Sequence, residues 1–326
     1  MKRLILTSSF GSDLAKSGLA EIAVFFAFRF VWGPLPSPEY FAAYFGAQSG
    51  TLKPGDHWSD WANVWPDAFK DLRNLPFADF CKRYDEIELW FEPSPDDQLQ
   101  LIWLLDYLDS RPELLQKLRL RLLADDLFEL RDKKFGPSRV PVVAVTASEL
   151  ATAKSAWRAY CAPTPEPCAN LLREDLSALP MLGPGLFALL AELPSPSTGL
   201  GATEMRFLEL IARGFKLTNA LFHLRSLRRT FVFQEFELGW LLQGLAHGPR
   251  PAVAGLDDAL RAIAQENFRD RHAAYLRSEL SLTEFGKAVL AHQEDFSGHN
   301  SIDRWWGGTH LTNDRLWRWG SVLTKP

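Results

Sequence analysis

The segment Leu282-Thr283-Glu284-Phe285-Gly286-Lys287-Ala288-Val289-Leu290 decides how the C-terminal third of this chain is read. A Leu-Thr-x-x-Gly turn leads into an apolar-periodic helix, and far upstream Thr203-Glu204 opens another helix with the same grammar. Residues 203–213, 217–228 and 234–246 carry the period of three short helices, and residues 256–278 that of a helical insertion. Residues 302–311 and 316–319 are candidate strands.

Upstream, Pro194-Ser195-Pro196-Ser197-Thr198-Gly199 is a turn-rich boundary. Residues 147–193 have a helical pattern punctuated by Pro163, Pro165, Pro167, Pro180 and Pro184, which predicts a helical connector over 147–196. At the N-terminus a short apolar strand (3–7), a Ser-Ser-Phe-Gly-Ser-Asp loop, a helix (14–19) and an aromatic-rich strand (21–28) follow one another. That β-loop-α-β order predicts a parallel-sheet, Rossmann-like α/β domain over 1–146. Helices are expected at 39–46 and 57–73, a strand at 85–92, and further strands at 118–123 and 140–145. Pro93-Ser94-Pro95 breaks the third strand, and Asp96 is expected to cap an amphipathic helix over 97–108. The three helices followed by strands make residues 197–326 a winged-helix-like α+β domain.

Composition narrows the class. With 47% hydrophobic and 23% charged residues the chain is an ordinary globular one. The net charge is -4, split between -6 over residues 1–196 (20 Lys+Arg, 26 Asp+Glu) and +2 over 197–326 (16 and 14). Neither part has the basic excess of a dedicated nucleic-acid binder. Three cysteines without a CxxC pair argue against a disulfide framework or structural zinc and for a cytoplasmic setting. No signal-peptide pattern follows Met1-Lys2-Arg3, and the apolar run at 22–32 is interrupted by Arg29, so no membrane partner is expected.

Three groups of residues, Asp85-Glu86-Ile87-Glu88-Leu89-Trp90-Phe91-Glu92 with Asp97-Gln98-Leu99-Gln100-Leu101, Gly33-Pro34, and Ser301-Ile302-Asp303-Arg304-Trp305-Trp306-Gly307-Gly308-Thr309-His310-Leu311 with Trp317-Arg318-Trp319, span nearly the whole chain. In these motifs the sequence resembles a bacterial family known only as domain-of-unknown-function family 1835. The resemblance implies a fold and little chemistry. The first loop departs from the family's Gly-Asp-Ser pattern and reads Ser8-Ser9-Phe10-Gly11-Ser12-Asp13.

Candidate sites follow. Open α/β sheets bind ligands beyond the carboxyl ends of their strands. Ser8, Ser9, Gly11 and Ser12 after the first strand, with Glu92, Asp97 and Gln98 after the third, are the candidate ligand-binding residues, the helix start suiting a phosphate. Helix capping by Ser12, Asp13 and Asp96, with Gln98 as a buried anchor, is the plainer use of the same residues. Neither G-x-G-x-x-G nor G-x-x-x-x-G-K-[ST] is present. Arg225, Arg228 and Arg229 are the candidate nucleic-acid contacts, but the third helix carries Glu235 and Glu237, which repel phosphate. His292, Glu294, Asp295, His299, Asp303 and His310 have metal-ligand chemistry without a metal-binding spacing. Trp305, Trp306, Trp317 and Trp319 read as a packed aromatic tail, with Asp303-Arg304 as an ion pair, and Cys81 and Cys161 as core.

The expected protein has no catalytic residue set, metal or cofactor that the sequence can name. It reads as a non-catalytic regulatory or interaction protein with the α/β domain as a small-molecule sensor, taking a protein partner or a small phosphorylated ligand. The competing reading is an enzyme acting on a phosphorylated or nucleotide-like small molecule at the strand ends.

Overall fold

The computed structural model describes residues 1–9, 11–48, 55–60, 67–123, 140–223, 232–257 and 268–326. The chain forms two compact units. The first comprises Met1–Phe30, Leu35–Cys161 and Leu171–Gly185, and the second Val31–Pro34, Ala162–Asn170 and Leu186–Pro326. The segment expected to connect two domains is thus divided: the helix Ala147–Tyr160 belongs to the first unit.

In the first unit, strands β1 (Arg3–Thr7), β2 (Ile22–Phe25), β3 (Glu86–Trp90), β4 (Leu118–Arg121) and β5 (Val142–Ala144) form one sheet in the order β2-β1-β3-β4-β5. The first four are parallel and β5 is antiparallel to β4. β1 pairs Leu4 with Ile22 on one side and with Ile87 on the other. Alternation then decides the two faces. Ile5, Ala23 and Trp90 gather with Leu14 of the short helix α1 (Gly11–Lys16) in one apolar cluster. Leu4, Leu6, Ile87 and Leu89 point the other way and are wholly buried. The expected second strand stops at Phe25, but its aromatic pattern continues into the core: Phe28 and Phe30 stand 4.6 and 5.4 Å from the ring of Trp103.

Trp103 lies on the helix α4 (Pro95–Asp109), where every residue from 95 to 105 is buried, including Asp96, Asp97, Gln98 and Gln100. The expected amphipathic helix is therefore an interior one: Ala147–Tyr160 packs along it, Asp96 meets Arg29 and the Phe30 N–H, and Gln98 packs against Gly185 and reaches the Glu92 carbonyl. Its cap also differs from expectation. Ser94, not Asp96, accepts the Asp97 N–H (3.3 Å), which frees Asp96 for other partners. Of the helix expected at 57–73, residues 61–66 lie outside the described residues and Asp67–Asn74 is a 3₁₀ helix.

On the α1 face of the sheet, Arg121 donates two hydrogen bonds to Glu88 (2.7 and 2.8 Å), and the Trp90 indole N–H a third (2.8 Å). Burial pushes the Glu88 carboxyl up, but the Arg121 and Trp90 hydrogen bonds and the charges of Arg121 and Arg3 hold it below its ordinary range.

The second unit is built on the helices Ala202–Ala212, Thr218–His223 and Glu235–His247. Phe207, Leu208, Leu221, Leu238, Leu242, Tyr275, Phe285 and Val289 share its core. The hairpin beside these helices joins Val253–Ala254 to Ser281–Leu282, with a further bridge between Leu217 and Glu279. The strands expected at 302–311 and 316–319 pair elsewhere. Asp303–Trp306 pairs with Thr309–Thr312, because Gly307 turns the chain at φ 53°, and Arg318–Trp319 pairs with Leu323–Thr324.

The Leu-Thr-x-x-Gly motif has a physical basis. Thr283 caps the helix Glu284–Leu290 by accepting the Gly286 N–H (3.0 Å) and donates to the Pro251 carbonyl (2.7 Å). A Cβ on Gly286 would collide with the carbonyl oxygen of Ala252, so only glycine lets the helix start lie on that backbone. Among the described residues no helix is long and apolar enough to cross a membrane.

Two outcomes are expected. Gly286→Ala lowers stability by about 1–3 kcal/mol in urea unfolding through overpacking. Arg121→Met leaves Glu88 buried without its partner and costs about 3–5 kcal/mol at neutral pH, whereas Glu88→Leu with Arg121→Met costs less. Because folding lowers the Glu88 pKa, the pair's contribution is complete above the ordinary value of 4.5 and is lost as pH falls through the folded value. The penalty of Arg121→Met therefore shrinks in acid.

Candidate functional site

In a sheet of order β2-β1-β3-β4, the connections leaving β1 and β3 run in opposite directions, so right-handed crossovers place α1 and α4 on opposite faces. The strand order reverses between β1 and β3, and the carboxyl ends of strands at such a point are where α/β sheets receive ligands. Ser8 and Ser9 follow β1 there, Glu92 follows β3, and Asp97 stands in the first turn of α4.

The Ser9 hydroxyl donates to Glu92 Oε1 between the two strand ends (3.0 Å). Behind it, the Thr7 hydroxyl donates to the Ser9 carbonyl (2.8 Å), which closes a tight turn at the strand end. Gln98 reaches back from the first turn of α4 and donates its amide to the Glu92 carbonyl (2.7 Å). The two loops are thus tied to each other and to the helix. Asp96 points away from this contact: it pairs with Arg29 (2.6 Å) and accepts from Gln100 (3.0 Å) and the Phe30 N–H (3.2 Å).

Asp97 is buried at the centre of the cluster. Burial raises its pKa well above the ordinary 3.8, the charges of Glu92 and Asp96 raise it further, and the neighbouring Ser8 hydroxyl and the Arg29 charge only partly offset them. The Ser8 hydroxyl is itself buried and, among the described residues, makes no hydrogen bond of ordinary geometry. A carboxyl held towards its protonated form, beside a buried hydroxyl that makes no hydrogen bond of ordinary geometry, leaves donor and acceptor capacity for something else. An apolar groove of about 390 Å³ adjoins the ends of β3 and β4, walled by Phe91, Leu101, Leu120 and Met181, with Gln98 and Arg121 as polar residues on its lining.

The structure therefore brings Ser8, Ser9, Glu92 and Asp97 together, with Gln98 at the edge. Gly11 and Ser12 open α1, and the Ser12 side chain lies outside the described residues. Arg225, Arg228 and Arg229 also lie outside them. Arg29 was not among the candidate residues, although a lone charge in an apolar run is a signal of a buried partner. The His292–His310 set pairs off instead of converging. Asp295 holds Arg318 (2.8 Å), Glu294 holds His299 (3.1 Å) and Asp303 holds His310 (2.7 Å). Among the described residues no group of three or more potential ligands could hold a metal. The expected Asp303–Arg304 pair is not made: Arg304 bonds Glu204 (3.0 Å), which helps to anchor the start of Ala202–Ala212. Cys81 is core as expected, whereas Cys161 is exposed at the end of Ala147–Tyr160. No protein-family model matches this chain, and no curated protein is significantly similar to it.

A carboxyl whose pKa rises on folding binds its proton more tightly in the native state than in the unfolded chain, so stability falls as pH climbs from 3.8 towards the folded value. Asp97→Asn removes that penalty. The variant is expected to melt several degrees above the parent at neutral pH, with the gain vanishing below about pH 4; an equal or lower melting temperature at neutral pH would show that Asp97 is ionised at no cost.

Proposed function

We propose that this protein is a non-catalytic regulatory sensor whose first unit binds a small hydroxyl-bearing molecule at the carboxyl ends of β1 and β3. The observation that carries this reading is the buried Asp97 carboxyl beside the unsatisfied Ser8 hydroxyl, at the place where the strand order reverses. Charge narrows the ligand. Among the described residues, Asp97 lies in the field of two acids, Glu92 and Asp96, and of one cation, Arg29, which pairs with Asp96. A phosphate would meet repulsion there, so the phosphorylated ligand expected from the helix start is disfavoured. Sugar-like hydroxyls suit the cluster, because carboxylates accept from them and a protonated Asp97 can also donate.

In the same reading the second unit is a winged-helix-like module serving protein contact. What supports it is the succession of three helices and the hairpin of Val253–Ala254 with Ser281–Leu282. Its third helix buries Glu237 as a cap partner of the Gln234 N–H (2.7 Å) and exposes Phe236 and Trp240, a face unsuited to a phosphate backbone.

One observation favours an enzyme instead: a buried acid that retains its proton is also a general acid. The two readings separate in a thermal-shift series on the full chain. Ribose, adenosine and ribose 5-phosphate are compared at millimolar concentration, in the parent, in Asp97→Ala and in Ser9→Ala. The proposal expects the neutral sugar or nucleoside to raise the melting temperature, the phosphate to do so less, and both variants to abolish the shift. A larger shift with the phosphate, or turnover of any of the three compounds, would overturn it.

A further inference from the structure

A second cavity, of about 160 Å³, lies within the second unit. Four aromatic residues line it: Trp32, Phe233, Trp305 and Trp306. Trp32 and Phe233 meet edge to face at 5.8 Å, and Trp306 is fixed by its indole N–H on the Leu189 carbonyl (2.7 Å). Trp305 is partly exposed and stacks on His310 at 4.6 Å.

The charged groups on this lining are Glu192, Asp303 and Arg304. Arg304 is spent on Glu204 (3.0 Å) and on the Glu192 carbonyl (3.4 Å), and Asp303 on His310 (2.7 Å). Glu192 is buried, and among the described residues its carboxyl accepts from Thr203 alone: the hydroxyl at 2.6 Å and the backbone N–H at 3.1 Å. Among the described residues no cation forms a salt bridge with it.

We propose that this cavity binds a small organic ammonium ion, held by cation–π contact with the tryptophans and by the charge of Glu192. A cation over tryptophan faces gains most when it is desolvated, and the combination of aromatic walls with an acidic residue suits quaternary and methylated amines. An anion would be repelled by Glu192 and Asp303, and a neutral molecule would leave Glu192 with no charge but that of Arg304, which is bonded to Glu204. Burial raises the Glu192 carboxyl to about 7; the Thr203 hydrogen bonds lower it, the Glu204 charge raises it and the Arg304 charge lowers it. A bound cation favours the ionised form, so binding releases protons and tightens as pH rises through neutrality. Glu204 and Arg304 face Glu192, and Asp303, which His310 holds from outside the lining, is on the same wall, so Glu192→Gln separates its titration from theirs. This site is independent of the one at the strand ends of the first unit.

The test is a calorimetric titration of the full chain with choline and tetramethylammonium, and with 3,3-dimethylbutan-1-ol as the uncharged isostere of choline. Saturable binding of the cations is expected, at least tenfold weaker binding of the isostere, and at least a tenfold loss in Glu192→Gln and in Trp305→Ala. The partly exposed Trp305 gives a variant whose folding is little affected. Affinity for choline should increase between pH 6 and pH 8 in the parent and stay flat in Glu192→Gln. Absence of saturable cation binding, equal affinity for the isostere, or unchanged affinity in both variants would overturn the proposal.

Discussion

The position of β1 between β2 and β3, parallel to both, is the constraint on which the first unit depends. It makes β1 a strand with two hydrogen-bonded neighbours and two covered faces, and Leu4, Ile5 and Leu6 are accordingly excluded from solvent. It also sends the loops after β1 and β3 apart, so polar residues from distant parts of the sequence face one another at the strand ends. Ser9 and Glu92 meet for that reason. The aromatic set of Phe26, Phe28, Phe30 and Trp103 then seals α4 into the interior. Once α4 is interior, any acid in its first turn must be paired or must keep its proton.

Asp96 and Asp97 show both solutions side by side. Asp96 has a guanidinium, an amide and a backbone N–H, and its charge is provided for. Asp97, among the described residues, forms no salt bridge, shares only the Arg29 charge and meets the fields of two other acids. Such an arrangement costs stability, and the groups that fold against their own interest are those most often kept for binding. Glu88 shows the contrast on the same sheet: equally buried, it is held ionised by Arg121, Trp90 and Arg3, and it has a structural use only.

The second unit repeats the theme at the start of Ala202–Ala212. Two carboxylates, Glu192 and Glu204, serve that helix end, but Arg304 answers Glu204 and leaves Glu192 with neutral donors. A helix N-terminus favours negative charge, which is why the pair is tolerated there at all. Glycine at 286 solves a different problem, close approach of two backbones, and it sets the start of Glu284–Leu290 against the hairpin.

Much of the local structure was legible in residue order. The strands at Arg3–Thr7 and Glu86–Trp90, the break at Pro93-Ser94-Pro95 and the Thr283 cap depend on alternation, on proline and on hydrogen bonds spanning a few residues, all of which are local properties. The candidate residues Ser8, Ser9, Glu92 and Asp97 could be named because ligand sites in parallel sheets follow strand ends. Which strand end faces which was decided by the sheet order. The proton on Asp97, the Arg29–Asp96 pair, the interior place of α4 and the lone Glu192 carboxyl came from tertiary structure alone. A pKa is governed by desolvation and by charges brought near from elsewhere in the chain, and a helix that reads as amphipathic turns into an interior one only when distant segments, here those bearing Arg29, Glu92 and Gly185, cover its polar residues.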